Sequence, residues 1–180
     1  MRESLRPDGQ TLRLSTWSLR DIVEAIDADQ PGDFDGSAHS VRAVSTDTRS
    51  IESGDFFFAL KGDRFDGHTF IDDAVAAGAS GLVVERGNQP EETQIPTLVV
   101  EDTTEALGRL GAAIWREATD DGLHSIAVTG SNGKTTTKEL LAALWGTRST
   151  VHATPGNLNN AVGLPLTLCG LPMEAETAVL

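Results

Sequence analysis

Apolar positions fall into two rhythms along the chain. Leu19, Ile22, Val23 and Ile26 share one face at helical spacing, and the pattern predicts a helix over residues 17–28. Ser18 with Asp21 supplies an N-terminal cap pair for it. Leu107, Leu110, Ile114 and Trp115 repeat the rhythm from a capping box, Asp102-Thr103-Thr104-Glu105, to about Thr119. Ile71, Ala74 and Val75 are expected inward on a shorter helix over 70–77, ended by Gly78. Continuous apolar runs instead predict buried strands: Phe56–Leu60, Leu82–Val84, Thr97–Val100 and Ile126–Val128. Val41–Ser45 alternates as a strand, Thr150–Ala153 reads as another, and Ala178–Leu180 as the first half of one. Residues 29–40, 61–68 and 86–96 read as loops.

The order is helix, strand, strand, helix, strand, strand, and then, from residue 102, helix, strand, loop, helix, strand. This predicts an α/β fold. A small mixed α/β domain over 1–101 precedes the start of a parallel, P-loop-type α/β domain over 102–180. With so few strands, that second sheet is expected to be incomplete.

Composition narrows the class. A chain of 180 residues, 39% hydrophobic with 18 glycines, fits a soluble globular protein. Neither a membrane-length apolar run nor a signal-peptide core is expected, and the single cysteine, Cys169, fits a reducing, cytoplasmic setting. Fourteen Lys and Arg against 27 Asp and Glu give −13, which argues against nucleic-acid or anionic-membrane partners. An acidic chain that binds polyphosphate must concentrate its cations, and Lys61, Arg64 and Lys134 stand in distinctive stretches.

The most distinctive stretch is Gly130-Ser131-Asn132-Gly133-Lys134-Thr135-Thr136, between a strand and a helix-like segment. That is the layout of a phosphate cradle. Glycines let backbone N–H groups crowd an anion, Lys134 offers an ammonium to terminal phosphates, and Thr135 offers a hydroxyl to Mg²⁺. An ordinary glycine-rich turn with a solvated Lys134 is the bland alternative. Val128 stands where the general P-loop has its first glycine.

That shortened loop resembles the ATP loop of the Mur ligases. Thr46-Asp47-Thr48-Arg49, followed by Gly54–His68 with its Ala-Leu-Lys-Gly-Asp-Arg-Phe-Asp run, resembles the family's UDP-binding domain. Gly156-Asn157-Leu158-Asn159-Asn160 and Gly163–Leu168 resemble the branch that handles D-alanyl-D-alanine. The resemblance runs over about residues 15–180. It implies an ATP- and Mg²⁺-dependent, amide-forming ligase of peptidoglycan precursor synthesis. ATP would phosphorylate the carboxylate of a UDP-N-acetylmuramoyl-tripeptide, and the amine of D-alanyl-D-alanine would attack the acyl phosphate.

By position, Gly130–Thr136 would hold the phosphates, with Lys134 catalytic through charge neutralisation and Thr135 on the metal. Thr46, Asp47, Thr48 and Arg49, with Lys61, Gly62, Asp63, Arg64 and Phe65, would receive the uridine diphosphate. Asn157, Asn159 and Asn160 would face the muramoyl-peptide or the metal. Each has a plainer alternative: a surface salt bridge for Arg49, a solvated pair for Lys61 and Asp63, a structural turn for the asparagines. His68, His152 and Cys169 read as structural. The family's Mg²⁺-binding Glu and later elements fall beyond Leu180, so these 180 residues are expected to be inactive alone, and monomeric. A non-catalytic UDP-precursor and ATP module, or a folylpolyglutamate-type ligase, are the alternative readings.

Overall fold

The computed structural model describes residues 10–29, 41–62 and 65–180. Asp63 and Arg64, two of the expected substrate contacts, lie outside the described residues.

The first sheet is parallel, with strand order β1-β2-β5-β6: Val44–Ser45, Phe56–Phe58, Gly81–Glu85 and Thr97–Val100. The strands β2, β5 and β6 are buried on both faces, which is why they read as unbroken apolar runs. The residues still alternate. Phe56, Phe58, Val83, Leu98 and Val100 join the large cluster, with α1 (Leu19–Ile26) and α3 (Thr103–Asp120). Phe57, Leu82, Val84 and Val99 face the other way, onto Ile71 and Ala74 of α2 (Ile71–Ala76). Gly81 is required here, because a Cβ would stand 1.9 Å from the Phe56 ring.

Between β2 and α2 the expected loop tightens into an antiparallel hairpin, β3 (Lys61–Gly62) with β4 (Phe65–Asp66). α2 is only six residues long, so Ile71 and Ala74, three apart, take the whole inward stripe. Val75, expected inward, is 40% exposed. β1 keeps only Val44–Ser45 of the expected strand over 41–45, although Val41 is buried.

The second sheet has order β7-β9-β8, formed by His124–Ile126, Thr177–Val179 and Val151–Ala153, all parallel. The apolar residues expected at the start of a strand, Ala178 and Val179, thus lie on the central strand. Two helices flank this sheet: α4 (Lys134–Trp145), and α5 (Gly163–Cys169), which packs on α3. One apolar cluster runs from Leu14 and α1 through α3 to Cys169, Leu171 and Ala178, so α3 serves both sheets. The Ser18 cap forms in full as the sequence predicts, and the Asp102–Glu105 box only in half, with the Glu105 carboxylate turned to Arg109. Ser18 and Asp21 make both bonds of a capping box, and Asp102 accepts from the Glu105 N–H at 2.8 Å. Among the described residues no helix is long and apolar enough to cross a membrane.

Candidate functional site

The phosphate-type loop follows β7 and opens α4 at Lys134, four residues before the helix-like segment that the sequence suggests from Lys138. Gly130 (φ 145°) and Gly133 (φ 77°) both adopt backbone angles that side chains resist. A Cβ on Gly133 would project into open space within the loop. Gly133 caps α4 without any side-chain bond, which leaves the first-turn N–H groups to the loop's concave side. Ser131, Asn132, Thr135 and Thr136 are exposed around it, and the Lys134 ammonium donates to the Gly130 carbonyl.

A narrow cavity of about 40 Å³ lies beside the loop, where Lys134 and Thr135 meet Thr154, Asn157 and Asn159. The asparagine loop is thus brought against the glycine loop, although 22 positions separate Thr135 from Asn157. The buried Thr154 hydroxyl there has no hydrogen-bond partner. A glycine cradle plus an orphaned hydroxyl fits a polyphosphate ligand. A metal finds less. Thr135 offers a hydroxyl, and the described residues contain no group of three or more His, Cys, Asp or Glu able to hold an ion.

Asn160 departs from its two neighbours. Its Oδ1 accepts from the Gly163 N–H at 2.6 Å and from the Val162 N–H at 3.3 Å, so it shapes the entry to α5. With Asn159 it lines a broad groove of about 950 Å³ against α3, which also carries Arg109 and Arg116.

Sequence reasoning missed Lys138. It is 7% exposed, and its ammonium donates to the carbonyls of Thr154 and, at 2.8 Å, Gly156. The available signal was its spacing, four residues after Lys134 on the same helical face.

A second site lies at the carboxyl end of β1. Thr46, Asp47, Thr48 and Arg49 line an open pocket of about 650 Å³ with Phe57, Phe65, Phe70 and Asp73. Asp47 accepts from the Arg49 N–H at 3.0 Å and from its guanidinium at 2.9 and 2.6 Å. This hydrogen-bonded pairing holds the Asp47 carboxyl down at about 2 and raises the Arg49 guanidinium. Arg49 thus makes the surface ion pair of the plainer reading, and the pair lines this pocket. Phe65, 55% exposed, stacks on Phe70 with centroids 5.3 Å apart and planes at 14°. Lys61 and Gly62 are exposed on β3 and are not part of the pocket lining.

The residues read as structural are so placed. His68 Nε2 accepts the Glu85 N–H at 2.9 Å, which leaves Nδ1 to donate to Asp66 at 2.6 Å. The His68 bond in turn lowers the Asp66 carboxyl. His152 Nε2 meets the Thr167 carbonyl at 2.8 Å, and burial pushes the Cys169 thiol up to about 12.

The two halves of this arrangement match two family descriptions in chain order. Residues 40–115 match the Mur ligase family catalytic domain, and residues 128–180 match the Mur ligase middle domain. The chain belongs to the Mur ligase family. Among its Mur ligase relatives, the UDP-N-acetylmuramoyl-tripeptide–D-alanyl-D-alanine ligase of Bacillus subtilis is 45% identical over 142 residues. That match covers 78% of this chain and 30% of the relative. The ligase of the same name from Escherichia coli is 42% identical over 83% of this chain and 32% of its own. A solved MurF structure from Acinetobacter baumannii superposes with a TM-score of 0.80 at 39% identity, over 91% of this chain and 35% of that one. A Thermotoga maritima MurF ligase, solved in complex with ADP, superposes with a TM-score of 0.65 at 34% identity, over 76% and 30%. The chain thus spans about a third of the length of the Mur ligases it matches.

Proposed function

We propose that the chain is part of an ATP-dependent ligase that joins D-alanyl-D-alanine to UDP-N-acetylmuramoyl-tripeptide in peptidoglycan precursor synthesis. Residues 1–101 hold the UDP-linked substrate, and residues 102–180 begin the ATP-binding domain. The observation that carries this reading is the glycine cradle of α4 facing Asn157 and Asn159 across one cavity. The relatives with this sequence pattern bear the ligase's name, and one was solved with ADP.

The chemistry suits the residues. A carboxylate is a poor electrophile, and ATP supplies the phosphoryl group that turns its oxygen into a leaving group. The chain's part in that step is positioning and charge neutralisation. Backbone N–H groups between Gly130 and Thr136 bind the phosphates. Lys134 leaves the Gly130 carbonyl for a phosphate oxygen, and Thr135 would offer its hydroxyl to a bound Mg²⁺. In the other pocket, Arg49 exchanges Asp47 for a diphosphate, and the Phe65–Phe70 stack offers an aromatic face to the base.

Calorimetry with MgADP, and separately with UDP-N-acetylmuramoyl-tripeptide, tests the assignment. Lys134→Ala is expected to abolish nucleotide binding and to leave the UDP-precursor affinity intact. Undiminished MgADP binding by Lys134→Ala would remove the cradle from the site.

A further inference from the structure

We propose that Lys138 is a positioning residue. It ties the phosphate-loop helix to the asparagine loop and adds a second positive charge behind the cradle. The inference rests on the nucleotide-binding reading above.

Lys138 is the buried residue of α4, although it carries a charge. Lys138 is 7% exposed, whereas Leu140 and Leu144 are 66% and 57% exposed. An ammonium taken out of water needs partners. Lys138 finds two main-chain carbonyls, those of Thr154 and Gly156, the second at 2.8 Å. The acid beside it, Glu139, lies 3.9 Å away with a side chain 64% exposed, so the pair is long and screened. Carbonyl dipoles solvate the charge without cancelling it. The wall shared by Lys134, Thr135, Asn157 and Asn159 therefore stays positive in a chain of net charge −13.

The geometry is also a linkage. Gly156 directly precedes Asn157, and its carbonyl is held by the helix that Gly133 and Lys134 open. A shift of the first turn of α4 on phosphate binding is carried through the Lys138 stem to the asparagine loop. Lys134 and Lys138 stand at i and i+4, where like charges repel. A polyanion at Lys134 relieves that repulsion, so nucleotide and a firmly held loop favour each other.

The alternative is a staple that only helps the chain fold. Lys138→Met keeps the stem and removes charge and donors, and Lys138→Gln keeps a donor without the charge. Three quantities are measured on the full chain: the thermal melt, the MgADP Kd by calorimetry, and amide exchange over 157–160 with and without MgADP. The expected result is a folded Lys138→Met chain whose MgADP Kd is weaker by roughly tenfold, about 1.4 kcal/mol. MgADP then no longer adds exchange protection at 157–160. Should Lys138→Met not fold, Lys138→Gln is read in its place, with the same weakened Kd expected from the missing charge. Variants that melt lower but keep the wild-type Kd and the MgADP-dependent protection overturn the inference and leave the nucleotide reading standing. A wild-type chain that does not bind MgADP overturns both.

Discussion

Gly111 and Gly108 lie one turn apart on α3 and should answer the same substitution with opposite signs. Gly111 is where α3 meets α5. A Cβ there would stand 2.9 Å from Pro165 Cα, 3.1 Å from its carbonyl oxygen and 3.2 Å from its Cβ. Two of those atoms are backbone and the third belongs to a ring with no rotamer to escape into. The helices must part by about half an ångström to reach ordinary contact. At Gly108 a Cβ would meet nothing within 4 Å. Alanine gains roughly 0.5–1 kcal/mol over glycine inside a helix. Overpacking a tight contact costs about 1–3 kcal/mol. Gly108→Ala should therefore stabilise by about 0.5–1 kcal/mol. Gly111→Ala should destabilise by about 1 kcal/mol net, since the steric term outweighs the helical gain. For a chain of this length 1 kcal/mol moves Tm by roughly 2–4 °C, so the variants should separate by about 3–8 °C. Urea titration and thermal melts followed by circular dichroism read both. A Gly111→Ala chain as stable as Gly108→Ala would refute the claim that close α3–α5 contact joins the two sheets.

Three further outcomes are expected. Arg49→Ala should weaken UDP binding in calorimetry by roughly tenfold, the scale of a lost charge-assisted contact, while the melt stays put because the side chain is 87% exposed. Unchanged affinity would remove Arg49 from the site. The buried Cys169 thiol should resist thiol reagents in the folded chain and react on unfolding. Its folded value, about 12, lies above the ordinary 9.0, so its contribution to stability is complete below pH 9 and is lost as pH rises toward 12. Cys169→Ala should flatten that alkaline decline in urea midpoints, and an unaltered slope would exclude Cys169 as its source.

What was legible in the sequence was local. The Ser18–Asp21 box is chemistry between neighbours, and it forms as read. Phe56–Phe58 and Thr97–Val100 read as buried strands because both faces are covered, whatever covers them. The glycine cradle was legible because positive φ and absent side chains are written in residue type. Tertiary contacts were not. Nothing near Phe65 says that Phe70 will lie beneath its ring, because that stack depends on how the short helical turn Gly67–Phe70 folds back after β4. Lys138 was overlooked because an isolated helix would point a lysine at water. Only the carbonyls of a loop some 16 residues away give it cause to be buried.

The same contrast bears on how an acidic chain would hold the polyanion proposed for it. Four of the described arginines are spent on carboxylates: Arg13 on Asp121, Arg42 on Asp55 and Glu52, Arg86 on Asp29 and Glu101, Arg109 on Glu105 and Asp27. These pairs neutralise acids within the surface and leave little field beyond it. Lys134 and Lys138 are held by carbonyls instead, which solvate an ammonium without removing its charge. Local partners, more than net charge, therefore decide where an anion can settle. Arg49 stands between the two regimes. Its partner Asp47 is a carboxylate, but an exposed one at the mouth of a pocket, and an exposed pair costs little to exchange. The cradle is then positive before any ligand arrives, whereas the pocket after β1 becomes so only when a ligand draws Arg49 away. Phosphate affinity at the first should follow the lysines and the N–H groups of the loop, and at the second the competition with Asp47.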